Sequence, residues 1–349
     1  MAEAEGARPS RVTIRTVAAD AGVSVAAVSK VLRNAYGVSD GLRARVLSSI
    51  QRLGYRPNVA ARGMRGKSFT AGILVTDFEN PFLFDVIAGI NATFDAAGYK
   101  SLIGVGKGIG PLEVRLIDSM IDFSMDGLVL VAPRLAIEDL ANYSRQIPTV
   151  VIGHHEPLAT AFDSVNSDDR RGAALVVENF LRQGWQDIAM ISLTPIDFHG
   201  TNVTDQREIG YLQAMQAAGL SHLARITHMP LDRYDVVNEA LRAYLTAPGL
   251  PRAVFCWSDL HAIELRNLAH RLGIKVPEDL AIAGYDNSRV AALPLIDITS
   301  IDQSGLQLGL RASQSQRRTC SQRRGGYDTS RRHRLHRRLP LVDRSGEWR

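Results

Sequence analysis

The stretch that most constrains this chain is residues 13–34, TIRTVAADAGVSVAAVSKVLRN. It reads as two short helices joined by a tight turn. Thr13 is placed to cap the first, its hydroxyl accepting a backbone N–H. Ile14, Val17, Ala18 and Ala21 then recur at helical spacing. Gly22 stops that helix, because glycine turns left-handed without steric cost. Ser24 caps the second helix, which carries Val28, Val31 and Leu32 on its buried side. Helices this short are unstable alone in water, and a third follows. Ser39 caps it, Leu42, Val46, Ile50 and Leu53 line one face, and Gly54 ends it. The arrangement reads as a helix-turn-helix, whose second helix can lie in a DNA major groove. Its exposed face would carry Val25, Ala26, Ser29, Lys30 and Arg33. Small apolar side chains can touch a thymine methyl, while Ser29 and Lys30 can reach base edges or phosphates. The competing reading is a helical subdomain that binds nothing.

Tyr55-Arg56-Pro57-Asn58 breaks the third helix, and Asn58 can cap a short helix over the residues up to Gly66. That segment is basic and poor in large apolar side chains, the composition of a piece that folds on binding. Residues 12–34, the 53–58 block LGYRPN and the Ala61-Arg62 run together resemble the DNA-binding headpiece and hinge helix of the lactose-repressor/galactose-repressor family. The resemblance implies that paired hinge helices enter the minor groove and that a large aliphatic side chain from each wedges into the central base step. Met64 occupies that place here. An apolar wedge offsets unstacking by widening the contact with bent DNA. The resemblance also implies DNA contacts from Thr13, Arg15, Ser24, Asn58, Ala61 and Arg65.

At 349 residues the chain has room for two or three domains. Its net charge of +5 is unevenly spread: residues 1–66 carry +7, residues 311–349 carry +9 and the middle carries −11. A basic head on an acidic body suits a DNA-binding module joined to a sensor. Cys256 and Cys320 are the only cysteines, which argues against a disulfide framework. There is no apolar run long enough to span a membrane, and MAEAEGARPSR lacks the apolar core of a secretory signal. The expectation is a cytoplasmic protein, drawn to the nucleoid by DNA, with no membrane partner.

From Ala71 onward, short apolar strands alternate with amphipathic helices, the pattern of parallel sheets covered on both faces. Strands are expected at 73–75, 102–105, 128–131 and 149–152, with helices built on Leu83, Ile87, Ile90 and Phe94 and on Leu116, Ile117, Met120 and Ile121. The pattern repeats in a second lobe. Its strands fall at 188–191, 253–256 and 280–283, its helices at 173–181, 208–218, 236–245 and 260–272. Two such lobes imply a cleft at the carboxyl ends of their strands. The fold class is therefore an all-α helix-turn-helix headpiece plus an α/β two-lobed, periplasmic-binding-protein-like sensor. Its bounds are an N-terminal tail at 1–11, headpiece at 12–57, hinge at 58–67 and sensor at 70–311. Within the sensor the first lobe spans about 70–165 and the second 170–297, with the chain crossing back after 298.

Several polar residues sit where strands end: Asp77 and Phe82, Asp168-Asp169, Arg207, Trp257-Ser258-Asp259 and Asp286. Each matches a segment of the sensor core of the same repressor family, so the resemblance reaches from about Val12 to Gln303. It implies effector contacts from Arg207, Asp286 and Ser258, with asparagine the usual residue at position 258. Asp77, Phe82, Ser167, Thr201, Trp257 and Gln303 complete the implied effector-binding set. A carboxylate and a guanidinium in one cleft suit vicinal hydroxyls, and Trp257 or Phe82 could stack on a sugar ring. Structural roles compete: Asp286 or Asp259 could cap a helix, and Arg207 could pair with Asp205 or Glu208. A sugar is the implied effector, with nucleobases also occurring in the family. No catalytic cluster, cofactor or metal is read here. The glycines around Lys107 fit no phosphate-loop pattern, and His154-His155, adjacent in a strand, point to opposite faces. A periplasmic sugar-binding protein and an enzyme with a DNA-binding appendage are the rival classes.

After Arg311 the pattern fails. Residues 312–338 are rich in arginine, serine and glutamine, almost without apolar residues, and are expected to be disordered. Residues 339–349 then resemble a remnant of the family's closing strand. Compensating frameshifts would produce such a break, and a family member damaged at this end is a third rival. The primary reading is a repressor that binds a pseudo-palindromic operator in double-stranded DNA as a homodimer or a dimer of dimers. On this reading, Met64→Ala is expected to weaken operator binding and reduce DNA bending in a circular-permutation gel assay; unchanged affinity and bend would remove the wedge.

Overall fold

In the computed structural model, residues 12–32, 35–56, 67–155, 161–194, 201–230, 234–324, 337–339 and 342–343 are described. The chain divides into a small unit ending at Ser68 and a large unit from Phe69. In the small unit, α1 (Ile14–Asp20), α2 (Val25–Leu32) and α3 (Asp40–Leu53) pack around buried Val17, Ala18, Val28, Val31 and Val46. The caps are those the sequence implies. Thr13 Oγ1 accepts from Thr16 N at 3.3 Å, Ser24 Oγ from Ala27 N at 3.1 Å and Ser39 Oγ from Leu42 N at 3.4 Å. Gly22 and Gly54 take φ of +62° and +63° at the ends of α1 and α3. Asp20 joins α1 to α3, accepting from Ser49 Oγ and Arg52 Nη2 at 2.5 Å each. Those two donors hold the Asp20 carboxyl below its usual range.

The large unit holds two doubly wound sheets. The first lobe runs through β1 (Thr70–Val75), α4 (Phe82–Ala96), β2 (Lys100–Val105), α5 (Gly110–Asp122), β3 (Gly127–Val131), α6 (Ile137–Gln146), β4 (Thr149–Ile152) and β5 (Asp163–Ser167). The second contains α7 (Asp169–Arg182), β6 (Ile188–Leu193), α8 (Val203–Ala217), β7 (Arg225–Met229), α9 (Tyr234–Thr246), β8 (Ala253–Cys256), α10 (Asp259–Arg271), β9 (Ala281–Asp286) and β10 (Thr299–Asp302). Then come α11 (Gly305–Arg324), β11 (Arg337–Leu339) and β12 (Val342–Asp343). The sheet orders are β11-β5-β4-β3-β1-β2 and β12-β10-β9-β8-β6-β7. Among the strands named, all pairings are parallel except β12 with β10. Strands β1, β3, β4 and β6 are buried along their whole length, as helices on both faces require. Each sheet reverses its strand order once, between β1 and β3 and between β6 and β8. Crevices for ligands open at such points.

Two expectations need correction. The chain does not cross back at 298: β10 pairs with β9 in the second sheet, and the crossing follows Asp302. Nor does disorder begin at residue 312. The helix α11 continues to Arg324 and packs along α4 and the first sheet. Beyond Arg311 its buried side chains are small or polar, namely Ala312, Ser313, Ser315, Gln316 and Cys320, so a hydropathy reading passes over them. Ser313 Oγ donates to Gly309 O at 2.8 Å, Ser315 and Thr319 donate to Asp163 Oδ2 at 2.8 Å each, and Cys320 Sγ donates to Asp126 O at 2.9 Å. The expected closing strand is split. Residues 337–339 extend the first sheet beside β5, and 342–343 join the second beside β10.

The α4–α11 crossing depends on absent side chains. A Cβ on Gly309 would lie 2.0 Å from Val86 O, and one on Gly89 would lie 2.2 Å from Leu306 O. Gly309→Ala is therefore expected to destabilise the large unit by about 1–3 kcal/mol, the usual cost of overpacking, seen as a lower midpoint in urea unfolding. An unchanged midpoint would show that the helices can part without cost.

Candidate functional site

On the headpiece, Val25 (36% exposed), Ala26 and Lys30 are exposed on α2, and Ser29 is half-buried. Thr13, Arg15 and Ser24 are exposed too, although the hydroxyls of Thr13 and Ser24 are engaged as caps. Tyr36, fully exposed in the turn after α2, escaped the sequence reading. The remaining expected DNA contacts, Arg33, Asn58, Ala61, Met64 and Arg65, lie outside the described residues.

In the large unit a cavity of about 180 Å³ is lined from both lobes. Asp77, Phe82, Ser167, Arg207, Trp257, Ser258, Asp286 and Gln303 all line it, and Thr201 does not. Thr201 instead offers its carbonyl to His155 N at 2.7 Å. Helix α8 begins at Val203, earlier than the periodicity indicated, so Arg207 lies in its second turn. Its partner is neither Asp205 nor Glu208. Arg207 Nε donates to Asp169 Oδ1 at 2.9 Å and Nη1 donates to Trp257 O at 2.7 Å. The guanidinium lies over the rings of Tyr285 (3.8 Å) and Trp257 (4.8 Å), contacts that favour a cation. Both charged side chains are shut from bulk water, at 2% and 1% exposure. Burial alone would raise the Asp169 carboxyl, but Arg207 and the hydrogen bond from His155 outweigh it and hold it below its usual range. Asp169, named in the sequence only as one of an acidic pair, lines the cavity, and His155, which the implied effector set also omits, meets it at 2.8 Å. The signal available was the acidic pair directly after Ser167.

Asp286 forms a second centre. It ends β9 at φ +120°, a conformation costing of order 1–3 kcal/mol for a residue with a side chain. It does not cap a helix. Its Oδ2 accepts from Asn80 Nδ2 at 2.9 Å and its Oδ1 from Gln303 Nε2 at 2.5 Å, while Gln303 Oε1 accepts from Ser167 Oγ at 2.9 Å. The predicted residues Ser167, Gln303 and Asp286 are thus one chain of hydrogen bonds, and Asn80 carries it across to the first lobe. Ser258 caps α10, and its hydroxyl also meets His261 Nδ1 at 2.8 Å. Asp259 does not cap but ties the start of α10 to β10 and to the loop after β9, accepting from Ser300 Oγ at 2.5 Å and Ser288 N at 2.6 Å. Trp257 Nε1 is buried without a hydrogen-bond partner.

Two models of protein families match the chain: "Bacterial regulatory proteins, lacI family" over residues 13–58, and "Periplasmic binding protein-like domain" over 177–341. The transcriptional repressor CytR of Escherichia coli K12 is 31% identical over 301 residues, covering 86% of this chain and 87% of that protein. The chain belongs to the lacI family. Catabolite control protein A of Priestia megaterium is 29% identical, covering 85% of this chain and 89% of its own. A lac repressor dimer bound to operator and the anti-inducer ONPF shares the fold, with a TM-score of 0.77 at 19% identity over 95% of this chain and 97% of that one. This lacI-family protein is a DNA-binding transcriptional repressor, and members of the family bind effector ligands and act as dimers. These relatives are regulators, so enzymatic activity is not the family expectation. Among the described residues no helix is long and apolar enough to cross a membrane.

The cavity carboxyls set a pH dependence. Burial pushes Asp286 up to about 7, Arg207 opposing, and pushes Glu264 up to about 7 with help from Glu79. Buried Glu113, beyond the site, is also pushed to about 7. Folded carboxyls with raised values bind more protons than unfolded ones, so their stability is fully present below the unfolded values and is lost as pH rises through 7. The ligand-free protein should melt at lower temperature at pH 8 than at pH 5.5, and Asp286→Asn should flatten the trend in differential scanning calorimetry. A melt that rises over this range would contradict the assignment.

Proposed function

We propose that operator affinity of this repressor is controlled by a small molecule, a sugar by preference, held between the two α/β lobes. The observation that carries this is the convergence of Arg207, Asp286 and Trp257 on one cavity that the first lobe also walls, through Asp77, Phe82 and Arg134. The guanidinium leaves Nη2 to donate to a ligand, Asp286 can accept, and the Trp257 ring offers an apolar face with an unsatisfied N–H. Two solved relatives carry sugars in their titles: a "transcriptional regulator CelR-cellobiose complex" (26% identity, 96% of this chain and 100% of that one, TM-score 0.65) and a lacI-family regulator from Enterococcus faecium with bound ribose (21%, 78% and 96%, TM-score 0.64).

The lobes already touch through Asn80–Asp286 and His155–Asp169. A ligand that replaces or reinforces these contacts prefers one lobe arrangement, and that preference is what couples the cavity to the operator. Residues 12–57 form the reading head and 58–67 the hinge, whose folding on DNA transmits the change. Recognition of a pseudo-palindromic operator by a homodimer follows, since one recognition helix reads too few base pairs. Exposed apolar side chains on the large unit support self-association. Phe78 stacks on Phe84 with ring centroids 6.3 Å apart, and edge strand β2 exposes Leu102 and Ile103. Chromosomal DNA as partner places the working protein in the cytoplasm.

The test is binding of the purified full-length protein to fragments flanking its own gene, with salt and a sugar panel varied. A discrete, salt-sensitive complex altered by one sugar is the expected result. Uniform weak binding to all fragments would leave only charge attraction. Arg207→Lys keeps the charge but loses the planar fork and ring stacking, so the effector response should weaken by about tenfold or more; a full response would exclude Arg207 from the ligand.

A further inference from the structure

The cavity has a carboxylate that nothing in the protein answers. Glu264 lies on α10, is 9% exposed and lines the cavity, yet it makes no hydrogen bond or ion pair with the described residues. The neighbouring charges do not help it. Glu79, close enough to raise it, is another carboxylate. Of the two guanidiniums in the wall, Arg207 is committed to Asp169, and Arg134 has Glu113 as its countercharge. His261 is held neutral, its imidazole pushed down to about 4 by burial, and its Nδ1 is taken by Ser258. A withdrawn carboxylate without donors carries a desolvation cost that persists until a donor arrives. This side chain borders the cavity, so the donor can come from the cavity's occupant.

The charge of the whole lining points the same way. Asp77, Glu79, Asp169, Glu264 and Asp286 face two guanidiniums. An anionic occupant such as a sugar phosphate would add to the excess, and a neutral polyol would leave it in place. We propose that the effector carries a protonated amine, and that Glu264, supported by Glu79, receives it while Arg207 and Asp286 hold its hydroxyl-bearing part. This rests on the cavity being the effector site.

The experiment is calorimetric titration of the full-length protein with matched pairs: glucose and glucosamine, galactose and galactosamine, mannose and mannosamine, with N-acetylglucosamine as the neutral acylated control. The expected result is that an amino sugar binds about tenfold or more tightly than its parent, as a charge-assisted contact provides. Glu264→Gln should erase that preference without lowering the ligand-free melting temperature. Glu79→Gln, at an exposed position, should reduce it less and guards against a folding defect in the first variant. The proposal is overturned if the neutral parents bind as tightly, if the preference survives Glu264→Gln, or if no amine binds. A neutral sugar that binds and alters the operator complex would remove only the amine and leave the effector site standing. No change in operator binding by any member of the panel would remove both.

Discussion

A guanidinium and a carboxylate withdrawn from water organise the sensor. Each ion costs several kcal/mol to bury, and their mutual attraction compensates only when the other lone pairs and protons are also satisfied. The structure meets that condition by recruiting groups from every side. Arg207 reaches Asp169 and the Trp257 carbonyl and lies over Tyr285, while Asp169 also receives His155 and Ser167. The start of α7, the second turn of α8, the end of β8 and the end of β9 are thereby fixed relative to one another, and a first-lobe histidine is drawn in. Removing either ion alone would strand the other, a loss of about 3–5 kcal/mol. The pair therefore constrains the cleft more than any single apolar contact.

Much of this architecture is legible in the sequence because its signals are local. Thr13, Ser24 and Ser39 cap helices through their own backbone neighbourhoods, and wholly apolar strands such as residues 128–131 can only be covered on both faces. Arg207 and Asp286 are legible as candidate site residues through the family resemblance, Asp286 at the end of β9 and Arg207 near the start of a helix. Their partners are not. Asp205 and Glu208 are the nearest carboxylates in sequence, but at two residues before and one after they do not face Arg207 on a helix, and Asp169 stands 38 residues earlier. Ser258 is similar: its place beside the cavity is legible, but the engagement of its hydroxyl by His261 depends on where α10 starts.

The polar edge of the first lobe is the other illegible part, and there two unpromising segments explain each other. Strand β5 reads DSVNS, with one aliphatic residue, yet four of its five residues are buried. Helix α11 presents serine, threonine and glutamine where aliphatic side chains would be expected. The two are linked, since Asp163 of β5 accepts from Ser315 and Thr319 of α11. Where they meet, neither segment offers large apolar side chains, but together they satisfy buried polar groups, which makes polar burial tolerable. A hydropathy reading judges each segment alone and discards both.

The same reasoning bears on how a ligand can act. The hydrogen-bonding groups of the cleft suited to a sugar are paired with one another: Ser167 with Gln303, Gln303 with Asp286, Asp286 with Asn80. A ligand entering here competes with contacts that join the lobes, so binding and lobe arrangement cannot be independent. Glu264 differs because it has no internal partner to give up. An occupant that satisfies Glu264 gains without touching a lobe contact, whereas one that engages Asp286 shares its oxygens with Asn80 and Gln303. On the proposed reading, Glu264 serves affinity and Asp286 serves the coupling between lobes, so a ligand acts as effector only when it reaches both.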